Sequence, residues 1–213
     1  QHSRSPAIHL AFARQFGHSI RYERLHAAPG AFSDVVQAFR AGGGAGLNVT
    51  LPFKLEAHAL CQELGRLAMA AGAVNTLLFR EDICFGENTD GLGLVEDLTK
   101  RLGFALEDAS ILIFGAGGAS RGVLAPLFEA GCTRVTLVNR NVQKARQVCS
   151  DFRQVSGLWR RPSDGGPFLE CASYDELALE AGRLSGDLLI NATSAGLQAQ
   201  PLPIPSAIFE AAK

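Results

Sequence analysis

The chain of 213 residues carries 20 Lys and Arg against 21 Asp and Glu, a net charge of −1, which removes any electrostatic case for nucleic acid or an anionic membrane as partner. With 47% hydrophobic and 19% charged residues it has the make-up of a globular protein able to bury a core, and its apolar runs fall well short of a membrane span. Cys61, Cys84, Cys132, Cys149 and Cys171 are scattered without a C-x-x-C pair, and the five histidines form no H-x-x-x-H pair. That spacing predicts no metal site and reduced thiols in a cytoplasmic protein.

In chain order, Ser5-Pro6 ahead of "AIHLAFARQF" predicts a helix with a capping serine and proline at its first position, closed by Gly17. Residues 19–27, "SIRYERLHA", alternate like a strand, and 30–42, "GAFSDVVQAFRAG", read as a helix with a glycine stop. A short strand "AGLNVT" precedes a helix "PFKLEAHALCQEL" (52–64), and "AVNTLLFR" is a further strand. "ICFGENTD" (83–90) continues extended into a turn, and "GLGLVEDLTKRLG" is a helix. A cleaner series follows: the apolar strand "ASILIF", the glycine loop "GAGGAS", the helix "RGVLAPLFEAG", the strand "TRVTLVNR" and the helix "VQKARQVCSDF". Then come a polar connection at 160–167, the segment "FLECAS", the helix "YDELALEA" and the strand "DLLINAT". Strands alternating with helices predict an α/β protein. We expect two domains divided in the helix after Asp90, residues 1–91 and 92–213, with a cleft between them.

The loop Gly115-Ala116-Gly117-Gly118-Ala119 lies between a buried strand and a helix, where a dinucleotide pyrophosphate binds. Glycines permit the tight turn and the close backbone approach, and the helix N-terminus favours the anion. An NAD site places an acidic residue at the end of the next strand; here stand Asn139 and Arg140, with Lys144 one turn later. A carboxylate would repel a 2′-phosphate, whereas these cations attract one, so NADP is expected over NAD. The same cations at a helix start oppose its dipole, which makes a purely structural role unattractive.

In the first half, "NVTLPFK" places Lys54 just beyond a short apolar strand. Asn48, Thr50, Asn75 and Asp90 are small polar residues at or near the ends of extended segments, where open α/β sheets bind ligands, and they suit a substrate rich in hydroxyls. Asp90 is placed to pair with Lys54, holding its ammonium and tuning its pKa. A lysine so held can take a proton from an alcohol as hydride leaves the same carbon. Ser3 and Ser5 at the start of the first helix read both as caps and as a carboxylate-sized anion site.

"HSRSP", "NVTLPFK", "GAVNTL", "NTDG", "GAGGAS", "NR" with its following lysine, and "NATSAG" occur in an order and spacing that resembles the shikimate dehydrogenases over essentially the whole chain. The resemblance implies a substrate domain followed by a Rossmann-like, doubly wound NADP domain. It also implies reversible reduction of 3-dehydroshikimate to shikimate in aromatic amino-acid (chorismate) biosynthesis, by a cytoplasmic monomer or homodimer. By motif, Ser3 and Ser5 would hold the substrate carboxylate, Asn48, Thr50, Asn75 and Asp90 the ring hydroxyls, and Lys54 the transferred proton with Asp90 as partner. Gly115 to Ala119 would cradle the pyrophosphate, Asn139, Arg140 and Lys144 the 2′-phosphate, and Thr193 would lie near the cofactor unless it merely caps its strand. Both ends read as cut: the family's first strand before "HSRSP", and the segment after Lys213 with a substrate-contacting glutamine, are not in this sequence. From that follow weak activity and exposed apolar surface as expectations. The alternatives are a quinate or broad-specificity quinate/shikimate dehydrogenase and a non-catalytic ligand-binding fragment; the "NR...K" pattern and Ser5 lean towards shikimate.

Overall fold

The computed structural model describes residues 3–155, 168–195 and 201–211. They form two compact units, Gln1–Gly44 and Ala45–Lys213. The first holds helices α1 (Ser5–Gln15) and α2 (Phe32–Ala41). The cap of α1 is Arg4 and not Ser5, which is already helical; Ser3 Oγ instead accepts from the Ser5 N–H at 3.2 Å and donates to Ser5 Oγ at 3.1 Å. As expected, Gly17 ends the helix. Its φ of 69° lets its own N–H reach the Arg14 carbonyl and the His18 N–H reach that of Ala13, a Schellman turn.

Residues 19–27 are not a strand: they join no ladder among the described residues. Side chains hold this segment instead. Tyr22 stacks on His9 with ring centroids 4.5 Å apart, and the Arg24 guanidinium donates to the Ser3 carbonyl. Alternation alone does not make a strand, which also needs a neighbouring backbone.

The second unit contains both sheets. The first is mixed, built from β1 (Gly46–Asn48), β2 (Glu63–Leu64), β3 (Thr76–Arg80) and β4 (Ile83–Glu87) in the order β1-β3-β4-β2, antiparallel except for β2 on β4. The single helix expected over 52–64 is broken: α3 covers Lys54–Leu60, and a second helix α4 follows at Arg66–Ala71. The break is tertiary in origin. The Gln62 N–H donates to the Cys84 carbonyl at 3.0 Å while its side-chain oxygen takes the Cys84 N–H at 2.8 Å, which draws the chain out of the helix and onto β4.

The second sheet is wholly parallel: β5 (Ser110–Phe114), β6 (Arg134–Val138), β7 (Phe168–Ala172) and β8 (Leu188–Asn191), in the order β7-β6-β5-β8. Its crossover helices are α6 (Gly118–Glu129), α7 (Val142–Val155) and α8 (Tyr174–Leu179). Successive residues of β5 serve two cores. Ile111 and Ile113 join Leu124, Leu127, Leu137 and Phe152, while Leu112 and Phe114 join Val138, Leu177 and Ile208. A strand covered on both faces is apolar throughout, and each such side chain contributes roughly 1.5–3 kcal/mol on burial. The result is an α/β architecture in which a mixed sheet is followed by a Rossmann-like parallel sheet, the fold class expected.

Between the sheets runs α5 (Asp90–Glu96), continued by a π-turn over Asp97–Arg101. It lies close on α6, because a Cβ on Gly91 would come 2.5 Å from the Gly122 carbonyl oxygen. A final helix α9 spans Ser206–Ala211. The polar connection expected at 160–167 lies outside the described residues, as does Gly196 of "NATSAG". Among the described residues no helix is long and apolar enough to cross a membrane.

Candidate active site

Chain order and sheet order disagree at β5: β6 and β7 extend the sheet to one side, and β8 returns to the other. Loops leaving the C-terminal ends of β5 and β8 therefore diverge and open a crevice, the usual ligand position in such sheets. A cavity of about 600 Å³ lies there, lined by the glycine loop 115–119, by 192–195 after β8, by 139–141 after β6, and by Lys54 with Leu51, Pro52 and Leu55. Lys54, Arg140 and Lys144 line it and no carboxylate does, among the described residues, which makes it a setting for a polyanion.

The loop is shaped by its glycines. Gly115, at φ 117°, packs where a Cβ would meet the Ala192 carbonyl oxygen at 3.0 Å, and Ser120 Oγ donates to the Gly115 carbonyl at 2.9 Å. Gly117 caps α6 and presents bare backbone to open space. After β6, Asn139 donates to the Asn141 carbonyl at 2.8 Å, and Asn141 caps α7 by accepting from the N–H groups of Gln143 and Lys144. That cap takes up backbone donors at the helix start and leaves Arg140 and Lys144 exposed at the rim. Burial pushes the Tyr174 hydroxyl above its ordinary range, and the nearby Arg140 charge opposes the shift.

Next to the glycine loop, Phe53 closes a turn by donating its N–H to the Thr50 carbonyl, and Lys54 is the first residue of α3. Pro52 thus belongs to the turn and does not start the helix. The Lys54 ammonium donates to Asp90 Oδ2 at 2.5 Å, with the two side chains 13% and 28% exposed. The other carboxylate oxygen accepts from the Asn75 amide at 2.9 Å. Asn75 Oδ1 takes the Thr89 N–H and the Thr76 hydroxyl, and Thr76 Oγ1 accepts in turn from Asn48. Lys54, Asp90, Asn75 and Asn48 therefore form one connected polar chain, with Thr50 exposed in the adjoining turn.

Behind it sits Asn88, fully buried; its amide donates to the Ala73 carbonyl at 2.9 Å and its oxygen accepts the Asp90 N–H at 3.1 Å. Sequence reading passed over Asn88, Asn141 and Tyr174. Asn141 carried a signal, an Asn immediately before a helical period. So did the placement of Tyr174, which follows the capping-box serine Ser173 paired with Glu176. The Thr193 hydroxyl donates to Asn191 Oδ1 at 2.7 Å and accepts from the Ala195 N–H, so it ties its own turn while lining the cavity. Ser3 and Ser5 belong to the first unit, bonded to one another.

Among the described residues no three His, Cys, Asp or Glu side chains converge as for a metal ion. Burial pushes the Cys132 and Cys149 thiols up to about 12, and with the help of Cys84 that of Cys61 as well, a range in which thiols are inert.

Comparison with known proteins bears on the same two regions. Residues 1–77 match the family described as the shikimate dehydrogenase substrate binding domain, and residues 97–160 that described as shikimate / quinate 5-dehydrogenase. Shikimate dehydrogenase (NADP(+)) of Nitrosospira multiformis is 47% identical over 99% of this chain and 71% of its own length. Among solved structures, shikimate dehydrogenase from Aquifex aeolicus aligns with a TM-score of 0.78 at 30% identity, covering 97% of this chain and 70% of that one. Shikimate 5-dehydrogenase from Thermus thermophilus, solved in complex with NADP(H) and shikimate, aligns at 0.76 and 32% identity with the same coverage. Sequence, fold and crevice agree: the chain belongs to the shikimate dehydrogenase family.

Proposed function

We propose that this chain catalyses the reversible NADP-dependent reduction of 3-dehydroshikimate to shikimate, with Lys54 exchanging the proton. The observation that carries the reading is the Lys54 ammonium, fixed on Asp90 at 2.5 Å, on the wall of the cavity that the glycine loop also lines. Bound NADPH would supply the hydride. The chain's own groups suit that cofactor: bare backbone at Gly117 for the pyrophosphate, and Arg140 and Lys144 for a 2′-phosphate, with Asn139 in place of a repelling carboxylate. The relative from Thermus thermophilus, solved with both NADP(H) and shikimate, supports the same pairing of ligands.

In the reductive direction Lys54 donates a proton to the carbonyl oxygen as it becomes an alcohol; in the reverse direction its neutral amine accepts one. Asp90 remains the carboxylate that aims the ammonium, and Asn75 fixes Asp90 by occupying its second oxygen. Asn48, Thr50 and Asn75 would meet the substrate hydroxyls, and Ser3 and Ser5 its carboxylate. A functional division at 91/92 fits the sheets, since the mixed sheet ends at Glu87 and the parallel one begins at Ser110.

The test is steady-state kinetics with 3-dehydroshikimate against NADPH and NADH, and in reverse with shikimate against quinate. We expect turnover with NADPH preferred and a higher kcat/KM for shikimate. A quinate preference would overturn the substrate assignment, and binding without turnover would leave a ligand-binding protein.

A further inference from the structure

We infer that Gly118 is a positioning residue for Lys54, so that the glycine loop places the proton donor as well as the cofactor. Gly118 is the first residue of α6, and its backbone is not in the left-handed region, so its conformation does not require glycine. What requires it is space. A Cβ at this position would stand 3.0 Å from Lys54 Cβ, 3.2 Å from Cδ and 3.6 Å from Cγ, the three nearest atoms around it. The lysine is tied at both ends, its carbonyl accepting from the Val74 N–H at 2.9 Å and its ammonium donating to Asp90 at 2.5 Å. Its aliphatic stem rests on the bare Cα of Gly118 between those ties. A methyl group there presses on the middle of a side chain whose ends are held, and the flexible end yields first, moving Nζ off its line to Asp90. The neighbouring glycine works differently, because a Cβ on Gly117 meets nothing and projects into open space.

The inference rests on the proposed role of Lys54, and the experiment separates the two. Gly118→Ala, Lys54→Ala and the double variant are compared with wild type for kcat, for NADP Kd by fluorescence quenching, and for thermal midpoint. Gly118→Ala is expected to fold normally, since alanine suits a helix better than glycine. We expect kcat to fall about tenfold, the scale for displacing a reacting group by a fraction of an ångström, and by clearly more than any loss of cofactor affinity at this loop. In the Lys54→Ala background the same change should cost nothing further. Gly117→Ala is expected to show the opposite split, a raised cofactor Kd. Unchanged kcat in Gly118→Ala, or a loss matched by an equal loss of cofactor affinity, overturns the inference while leaving the role of Lys54 standing. Full turnover in Lys54→Ala overturns that role itself.

Discussion

Gly122 lies inside α6, where alanine would ordinarily add about 1 kcal/mol of helix stability. Here the added Cβ would fall 2.7 Å from Asn88 Oδ1 and 2.9 Å from Nδ2, well inside van der Waals contact. Asn88 is fully buried and bonded to both the Ala73 carbonyl and the Asp90 N–H, so it cannot retreat without breaking one or both bonds. Each buried group left unpaired costs about 1–3 kcal/mol, and overpacking costs about as much again. Set against the helix gain, a net loss of about 1–5 kcal/mol is expected. Gly93, in α5 with nothing near its Cβ position, is the control: alanine there should stabilise by about 1 kcal/mol. Urea unfolding of both variants gives the sign directly. If Gly122→Ala raises the midpoint as Gly93→Ala does, the close seating of Asn88 against α6 is wrong.

Two further perturbations test other parts of the account. Removing Arg140 or Lys144 should raise KM for NADPH by roughly tenfold or more while leaving KM for NADH nearly unchanged, the loss of a charge-assisted phosphate contact; an equal effect on both cofactors would contradict the 2′-phosphate assignment. Burial, and then the Arg121 charge, hold the His58 pKa below its ordinary value, so the unfolded chain takes up a proton before the folded one does. Stability from this residue is complete above about pH 6.5 and is lost as pH falls through the lower folded value, and His58→Gln should flatten that acid limb in urea titrations.

The parts of the site that were legible in the sequence are those with local causes. The glycine loop follows from strand, turn and helix start within a few residues, and the Asn139–Arg140 pair from its place at a strand end. Lys54 and Asp90 were each recognisable as polar groups at the ends of extended segments, and the fold brings them together. What could not be read depends on distant partners. The alternation of residues 19–27 produces neither a ladder nor an inward face among the described residues: Ile20 and Leu25 stay exposed, and the segment is held on α1 through Tyr22 on His9. The helix expected through Leu64 stops at Leu60 because Cys84 offers Gln62 a better set of hydrogen bonds. Nothing local marks Asn88; its burial exists only because Gly122 leaves a notch for it, thirty-odd positions later in the chain.

The most direct measurement is kcat for NADPH oxidation by 3-dehydroshikimate in Lys54→Ala, with NADPH Kd determined alongside. If Lys54 has the proposed proton-transfer role, its loss should lower kcat by about 10²–10⁴-fold and leave cofactor binding close to that of wild type. Turnover near the wild-type rate would contradict the account.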